Sequence, residues 1–218
     1  MTTLLLIRHG RSEANAQGIL AGRNDTPLDG VGRDEALDLG RRLAHMPLDM
    51  LVSSPQLRAR QTAQIAAAGR GEVVVDEAFA ECDYGQWSGR SLRDLVDQPE
   101  WVTVQTHPSA ARFPGGETMA QMAHRASQGA RALVTAHPDR TVWVVTHGDV
   151  IKAVLADALG LHVDHFQRIV VDTASVSLIR YTPSRPFVEK INDTGTLRPA
   201  RNDGSGAADA VVGGRTSQ

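Results

Sequence analysis

Short apolar runs alternate with longer stretches of helical period along most of this chain. Leu4, Leu5, Leu6 and Ile7 form an unbroken apolar run that stops at Arg8-His9-Gly10. A run without polar alternation predicts a strand covered on both faces. A loop rich in Gly, Asn, Asp and Pro follows over residues 11–28. Asp29 can cap a helix reaching to about residue 45, with Ala36, Leu39, Gly40 and Leu43 on one face. Residues 49–52 predict a second strand, which stops at Ser53-Ser54-Pro55. Pro55 suits the first turn of a helix over residues 56–68, where its missing N–H is not needed. Val73–Val75 predicts a third strand.

The rhythm breaks over residues 77–116, which hold Trp87, Trp101 and short helical patterns such as that at 92–96. This stretch predicts an excursion from the sheet that can cover a site. An amphipathic helix resumes at 117–137, with Met122, Ala126, Ala130, Leu133 and Val134 facing inward. Thr141–Thr146 is the strongest strand pattern, followed by His147-Gly148-Asp149 and a helix over 150–159 that Gly160 stops. Val176–Tyr181 and residues 187–191 predict a last, antiparallel pair. Strands alternating with helices imply an α/β fold of three α/β/α layers around a mainly parallel sheet. The expected organisation is one domain over residues 1–198, with a small, partly helical cap insertion at about 77–116. Residues 199–218 turn to Gly, Ala, Ser and Asp without periodicity, and disorder is expected there.

The 218 residues suffice for one sizeable core. A formal net charge of -2 argues against a general nucleic-acid or membrane-surface binder, so any attraction for anions must be local. Cys82 is the single cysteine, which excludes an intrachain disulfide and suits a reducing compartment. No apolar run is long enough to span a bilayer, and the N-terminus lacks the basic region of a signal peptide. A cytoplasmic location is expected.

In a parallel sheet the carboxyl ends of the strands share one edge, where ligands bind. Three strand ends carry unusual chemistry: Arg8-His9-Gly10, then Ser53-Ser54-Pro55 with Arg58 a turn further on, and His147-Gly148. Two arginines at one edge repel unless an anion sits between them, and guanidinium groups match phosphate oxygens. An imidazole can attack the phosphorus while the arginines and the second imidazole stabilise charge on its oxygens. Glu81 is the first candidate for the acid that a leaving oxygen needs.

Arg8-His9-Gly10 followed by Asn15 resembles the signature of the histidine phosphatase superfamily, the phosphoglycerate-mutase-like proteins. Ser53-Ser54-Pro55-Gln56-Leu57-Arg58-Ala59-Arg60-Gln61-Thr62 resembles the second motif, and Glu81 with Gly85, Trp87 and Gly89 the third. Gly115-Gly116-Glu117-Thr118 resembles the approach to the long helix, and Thr146-His147-Gly148 the last motif. The resemblance runs in order from about residue 3 to 181. It implies a phosphohistidine on His9, a phosphoryl group held by Arg8, Arg58 and His147, and a proton donated by Glu81. It implies a substrate contact from Asn15, and no metal or other cofactor. Arg11 and Gly148 join Asn15 as expected substrate-binding positions. Arg11 departs from the Glu or Gln of many relatives, Gln56 replaces a common Leu and reads as a packing change, and Asp149 reads as a helix cap.

The expected activity is hydrolysis of a small phosphorylated metabolite, with no nucleic-acid or membrane partner and a homodimer left open. A phosphoglycerate-type mutase is the first alternative, disfavoured because the excursion is short for one. A non-catalytic phospholigand-binding module is the second.

Overall fold

The computed structural model describes residues 1–195; the expected disorder at 199–218 lies outside the described residues. The strands are β1 (Thr2–Arg8), β2 (Met50–Ser53), β3 (Val73–Val75), β4 (Thr141–Thr146), β5 (Val176–Tyr181) and β6 (Pro186–Asp193). They form one sheet in the order β3-β2-β4-β1-β5-β6. Pairing is parallel from β3 through to β1 and antiparallel for β1 with β5 and β5 with β6. The helices are α1 (Glu13–Ala16), α2 (Gly30–Arg42), α3 (Leu57–Ala67), α4 (Leu92–Val96), α5 (Pro99–Thr106), α6 (Met119–Ala136) and α7 (Gly148–Leu159). No described helix is long and apolar enough to cross a membrane.

The strand alternation divides the core into two. Leu4 and Leu6 pack with Val52, Val142, Val144 and the inner faces of α6 and α7. Leu5 and Ile7 point the other way, to Trp143, Val145, Leu39 and the small residues Ala59, Ala63, Ala66 and Ala67 of α3. The four apolar residues of β1 are fully buried, each contributing roughly 2 kcal/mol relative to exposure. This explains the unbroken apolar run: both faces of the strand are covered.

Helix boundaries follow the caps. Asp29 accepts the Gly32 N–H at the start of α2, as expected. Thr118 and Gln121 form a capping box, so α6 starts after Glu117 rather than at it. α3 starts after Gln56, leaving Pro55 outside; Asp25 of the first loop accepts its first N–H at 2.8 Å. α7 starts at Gly148 with His147 in the capping position, so Asp149 is not the cap but a buried residue of the first turn.

The excursion carries α4 and α5 and is anchored by aromatic packing. Trp87 stacks on Trp101 with centroids 6.2 Å apart and meets Phe113 edge-on at 5.3 Å. Both tryptophans therefore serve as anchors. A salt-bridged clamp fixes the start of the excursion to α6: Arg125 donates to the carbonyls of Ala78, Ala80 and Glu81 and to Glu117.

The turn after β1 packs directly on the first turn of α2. A Cβ on Gly32 would lie 1.9 Å from the Arg11 carbonyl oxygen, and one on Gly10 would lie 2.4 Å from that of Gly32. Backbone on both sides leaves no flexible group to yield. Gly32→Ala should therefore cost about 1–3 kcal/mol and shift the turn that carries His9. Thermal unfolding and turnover of the variant check this; an unchanged melting temperature would show that the two backbones separate freely.

Candidate active site

The register of the central strands sets the site. Arg8 pairs with Thr146 across β1 and β4, and the His9 N–H donates to the Thr146 carbonyl at 2.9 Å. The next residues on the two strands are therefore neighbours, and the rings of His9 and His147 lie 5.1 Å apart. α3 ties the β1 turn down from the side. Thr62 Oγ1 accepts the Gly10 N–H at 3.0 Å and donates to the Arg58 carbonyl at 2.7 Å.

The protons on His9 follow from its partners. Nδ1 lies 2.7 Å from the Gly10 carbonyl, which can only accept, so Nδ1 carries the hydrogen. Nε2 keeps its lone pair and receives the Arg58 Nε–H at 3.2 Å. Burial first, then Arg58 and Arg8, hold the imidazole well below its ordinary pKa. A neutral ring with a free Nε2 lone pair is the form a nucleophile needs.

Arg58 is 2% exposed and contacts both imidazoles. Its terminal nitrogens donate to the Asn24 carbonyl at 2.9 Å, to the Gly22 carbonyl at 2.7 Å and to His147 Nδ1 at 3.2 Å. Arg8 is fully buried and donates to the Val171 carbonyl at 2.8 Å. Two buried guanidinium groups facing two neutral imidazoles form a pocket that favours an anion.

Glu81 sits 4% exposed, with Oε2 3.7 Å from His147 Nδ1. Its Oε1 accepts the Cys82 N–H at 3.0 Å, and its own carbonyl takes bonds from Arg23 at 3.1 Å and Arg125 at 3.0 Å. Burial and then the charge of Asp149 push its carboxyl up to about 7, against the pull of Arg58 and Arg8. Asp149 is itself buried, taking the Tyr84 hydroxyl at 2.8 Å and Lys152 at 3.4 Å; Lys152 also reaches Gln167 at 2.8 Å. Asp149 thus acts electrostatically behind Glu81, a role its helix-start position did not suggest.

His9, Arg8, Arg58, His147 and Glu81 therefore meet as expected. Asn15 lies in α1, where its Oδ1 accepts the Ser12 backbone N–H at 3.1 Å and closes the capping box. Gly148 opens α7 beside His147. Arg11 sits beside the cap of α2, where its Nε donates to Asp29 at 2.7 Å. Gln56 requires a correction. It is no packing substitute for Leu, because its side-chain oxygen accepts bonds from Ser54 and from the Glu81 backbone. Sequence carried no signal for that, since Glu81 lies in the irregular excursion.

A fold and pocket of this kind define an enzyme of phosphate esters. The chain belongs to the histidine phosphatase superfamily (branch 1), whose profile matches residues 4–194. It is similar to phosphoserine phosphatase 1 of Hydrogenobacter thermophilus, 32% identical over 200 residues that cover 89% of this chain and 93% of that one. It is equally similar, at 32% over 200 residues, to the bifunctional protein Rv2228c of Mycobacterium tuberculosis, of which it spans 55%. Among solved structures, an Entamoeba histolytica phosphoserine phosphatase mutant (H9A) in complex with phosphoserine superposes with a TM-score of 0.82 at 25% identity, covering 89% of this chain and 98% of that one.

The ionisation of Glu81 gives a sign to the pH dependence. Its raised pKa keeps the carboxyl protonated up to about pH 7, so catalysis that uses this proton should fall as pH rises through about 7. Glu81→Gln should lower kcat by about 10²–10⁴-fold and remove that alkaline limb. Asp149→Asn removes the charge that disfavours ionised Glu81, so the limb should move to lower pH. The pH profiles of kcat/KM for the three proteins, which report groups of the free protein, check both outcomes; a limb unmoved by Asp149→Asn would refute the coupling.

Proposed function

We propose that this protein hydrolyses small phosphate monoesters through a phosphohistidine on His9. The carrying observation is the neutral His9 ring, whose Nε2 lone pair faces the Arg58 guanidinium in a buried cationic pocket. In the first step the phosphoryl group enters between His9, Arg8, Arg58 and His147, and Arg58 Nε–H turns from Nε2 to a phosphoryl oxygen. Nε2 forms the bond to phosphorus, the ester P–O bond breaks, and Glu81 delivers its proton to the departing oxygen. In the second step Glu81, now a carboxylate, takes a proton from water. The resulting hydroxide attacks phosphorus, the P–N bond breaks, and the lone pair returns to Nε2. Asn15 and the Gly148 N–H are the further groups that would contact the substrate.

The phosphatases among the relatives support hydrolysis of a small phosphorylated metabolite. A solved mycobacterial glucosyl-3-phosphoglycerate phosphatase complexed with VO3, 28% identical with a TM-score of 0.79, supports the same reading. A mutase is the competing reading, supported by the similarity, at 27% identity, to a probable phosphoglycerate mutase of Salmonella choleraesuis. A mutase returns the phosphoryl group to an organic acceptor, whereas this reading releases inorganic phosphate.

A panel of phosphoserine, phosphoglycerates and sugar phosphates, assayed for inorganic phosphate, decides between them. The wild type should release phosphate from at least one ester without any bisphosphorylated activator. His9→Ala should lose at least about 10³-fold in kcat. Interconversion of phosphoglycerates with no net phosphate release would establish the mutase instead, and full turnover by His9→Ala would remove His9 from the mechanism.

A further inference from the structure

The side-chain oxygen of Gln56 is where three segments of the site meet. It accepts the Ser54 hydroxyl at 2.6 Å, the Glu81 backbone N–H at 3.1 Å and His147 Nε2–H at 3.1 Å. Ser54 Oγ also lies 2.6 Å from His147 Nε2. These contacts fix the protons from two sides. Arg58 can only donate, so its contact at Nδ1 makes that nitrogen an acceptor and places the neutral ring's hydrogen on Nε2. On the far side, the one proton of Ser54 goes to Gln56, so Ser54 faces Nε2 as an acceptor. The Glu81 N–H settles which end of the Gln56 amide is oxygen.

We propose that Gln56 is a positioning residue: its carbonyl holds His147 as the Nε2–H tautomer, with Nδ1 toward the phosphoryl position, and ties that ring to the backbone of Glu81. The inference rests on the reading of His9 as the phosphoryl acceptor and extends it to the device that sets the opposite wall. A phosphoryl dianion beside Nδ1 needs a donor there, which the ring supplies only by gaining a proton. Two acceptor oxygens on Nε2–H favour that imidazolium. Burial first, then Arg58 of α3, His9, Arg8 of β1 and Arg125 of α6 oppose it, while Glu81, when ionised, and the dianion favour it. With Leu at this position, Ser54 would lose its acceptor. Its hydroxyl could then turn to donate to Nε2, and the tautomer would no longer be set.

The test follows the side-chain nitrogens of the full chain, labelled with ¹⁵N-histidine, by NMR across pH, with and without inorganic phosphate. Wild type, Gln56→Leu and Gln56→Glu are compared. The wild type should show His147 as the Nε2–H tautomer, with phosphate raising its titration midpoint. With phosphate bound, Gln56→Glu should raise that midpoint further, by about 1 unit or more, because a carboxylate replaces the amide oxygen. Gln56→Leu should lower it. A loss of packing would move both variants the same way. Shifts in one direction, no shift, or an Nδ1–H wild type would overturn the proposal. If Gln56→Leu does not fold, the shift in Gln56→Glu decides alone. The readout needs no turnover, so its failure is separate from failure of the hydrolase reading, which would appear as absent His9-dependent phosphate release.

Discussion

The buried Arg58 guanidinium is the contact on which the rest of this structure turns. It stands between two imidazoles, donating to Nε2 of one and Nδ1 of the other, and is held from the opposite side by the carbonyls of Gly22 and Asn24. The first loop, the start of α3 and the ends of β1 and β4 are thus organised around one planar cation. A unit charge about 4 Å away interacts with an anion by on the order of 4 kcal/mol at an effective dielectric near 20. With Arg8 alongside, a phosphoryl dianion bound as proposed would offset the burial of these cations.

One physical cause gives His9 and Glu81 the ionisation states that the proposed reaction needs. Burial disfavours charge whatever its sign. It therefore drives the His9 imidazole to the free base and the Glu81 carboxyl to the acid, and the neighbours adjust each value. The arginines push His9 further down. Asp149, held by Tyr84 and Lys152, outweighs Arg58 at Glu81. An imidazole without its proton and a carboxyl with one then coexist near neutral pH, the pairing that the proposed acid-assisted phosphoryl transfer needs.

The chain order made most of this legible. An apolar run with no alternation marked β1 as a central strand, and residues after β1 and β4 converge because parallel neighbours end at one edge. The approach of Arg58 followed from its place in the first turn of the helix after β2. What escaped sequence reading depends on side-chain direction and on the irregular segment. Arg11 looks like a free cation until Asp29, eighteen positions away, is seen to claim it. Asp149 looks like a cap until the helix is seen to start two residues earlier than expected, at Gly148. Gln56 could be recognised only once Glu81 had been placed, and no periodicity places a residue in residues 77–116.

The claim that all of this supports is that His9 Nε2 becomes phosphorylated. Rapid-quench mixing with a phosphate monoester that the protein turns over, followed by digestion under alkaline conditions and mass spectrometry, tests it most directly. An acid-labile, alkali-stable phosphoryl group should be found on the peptide carrying His9 during turnover and disappear as substrate is exhausted. Rapid turnover with no phosphorylated His9 peptide at any quench time, or a phosphoryl group on His147 instead, would contradict it.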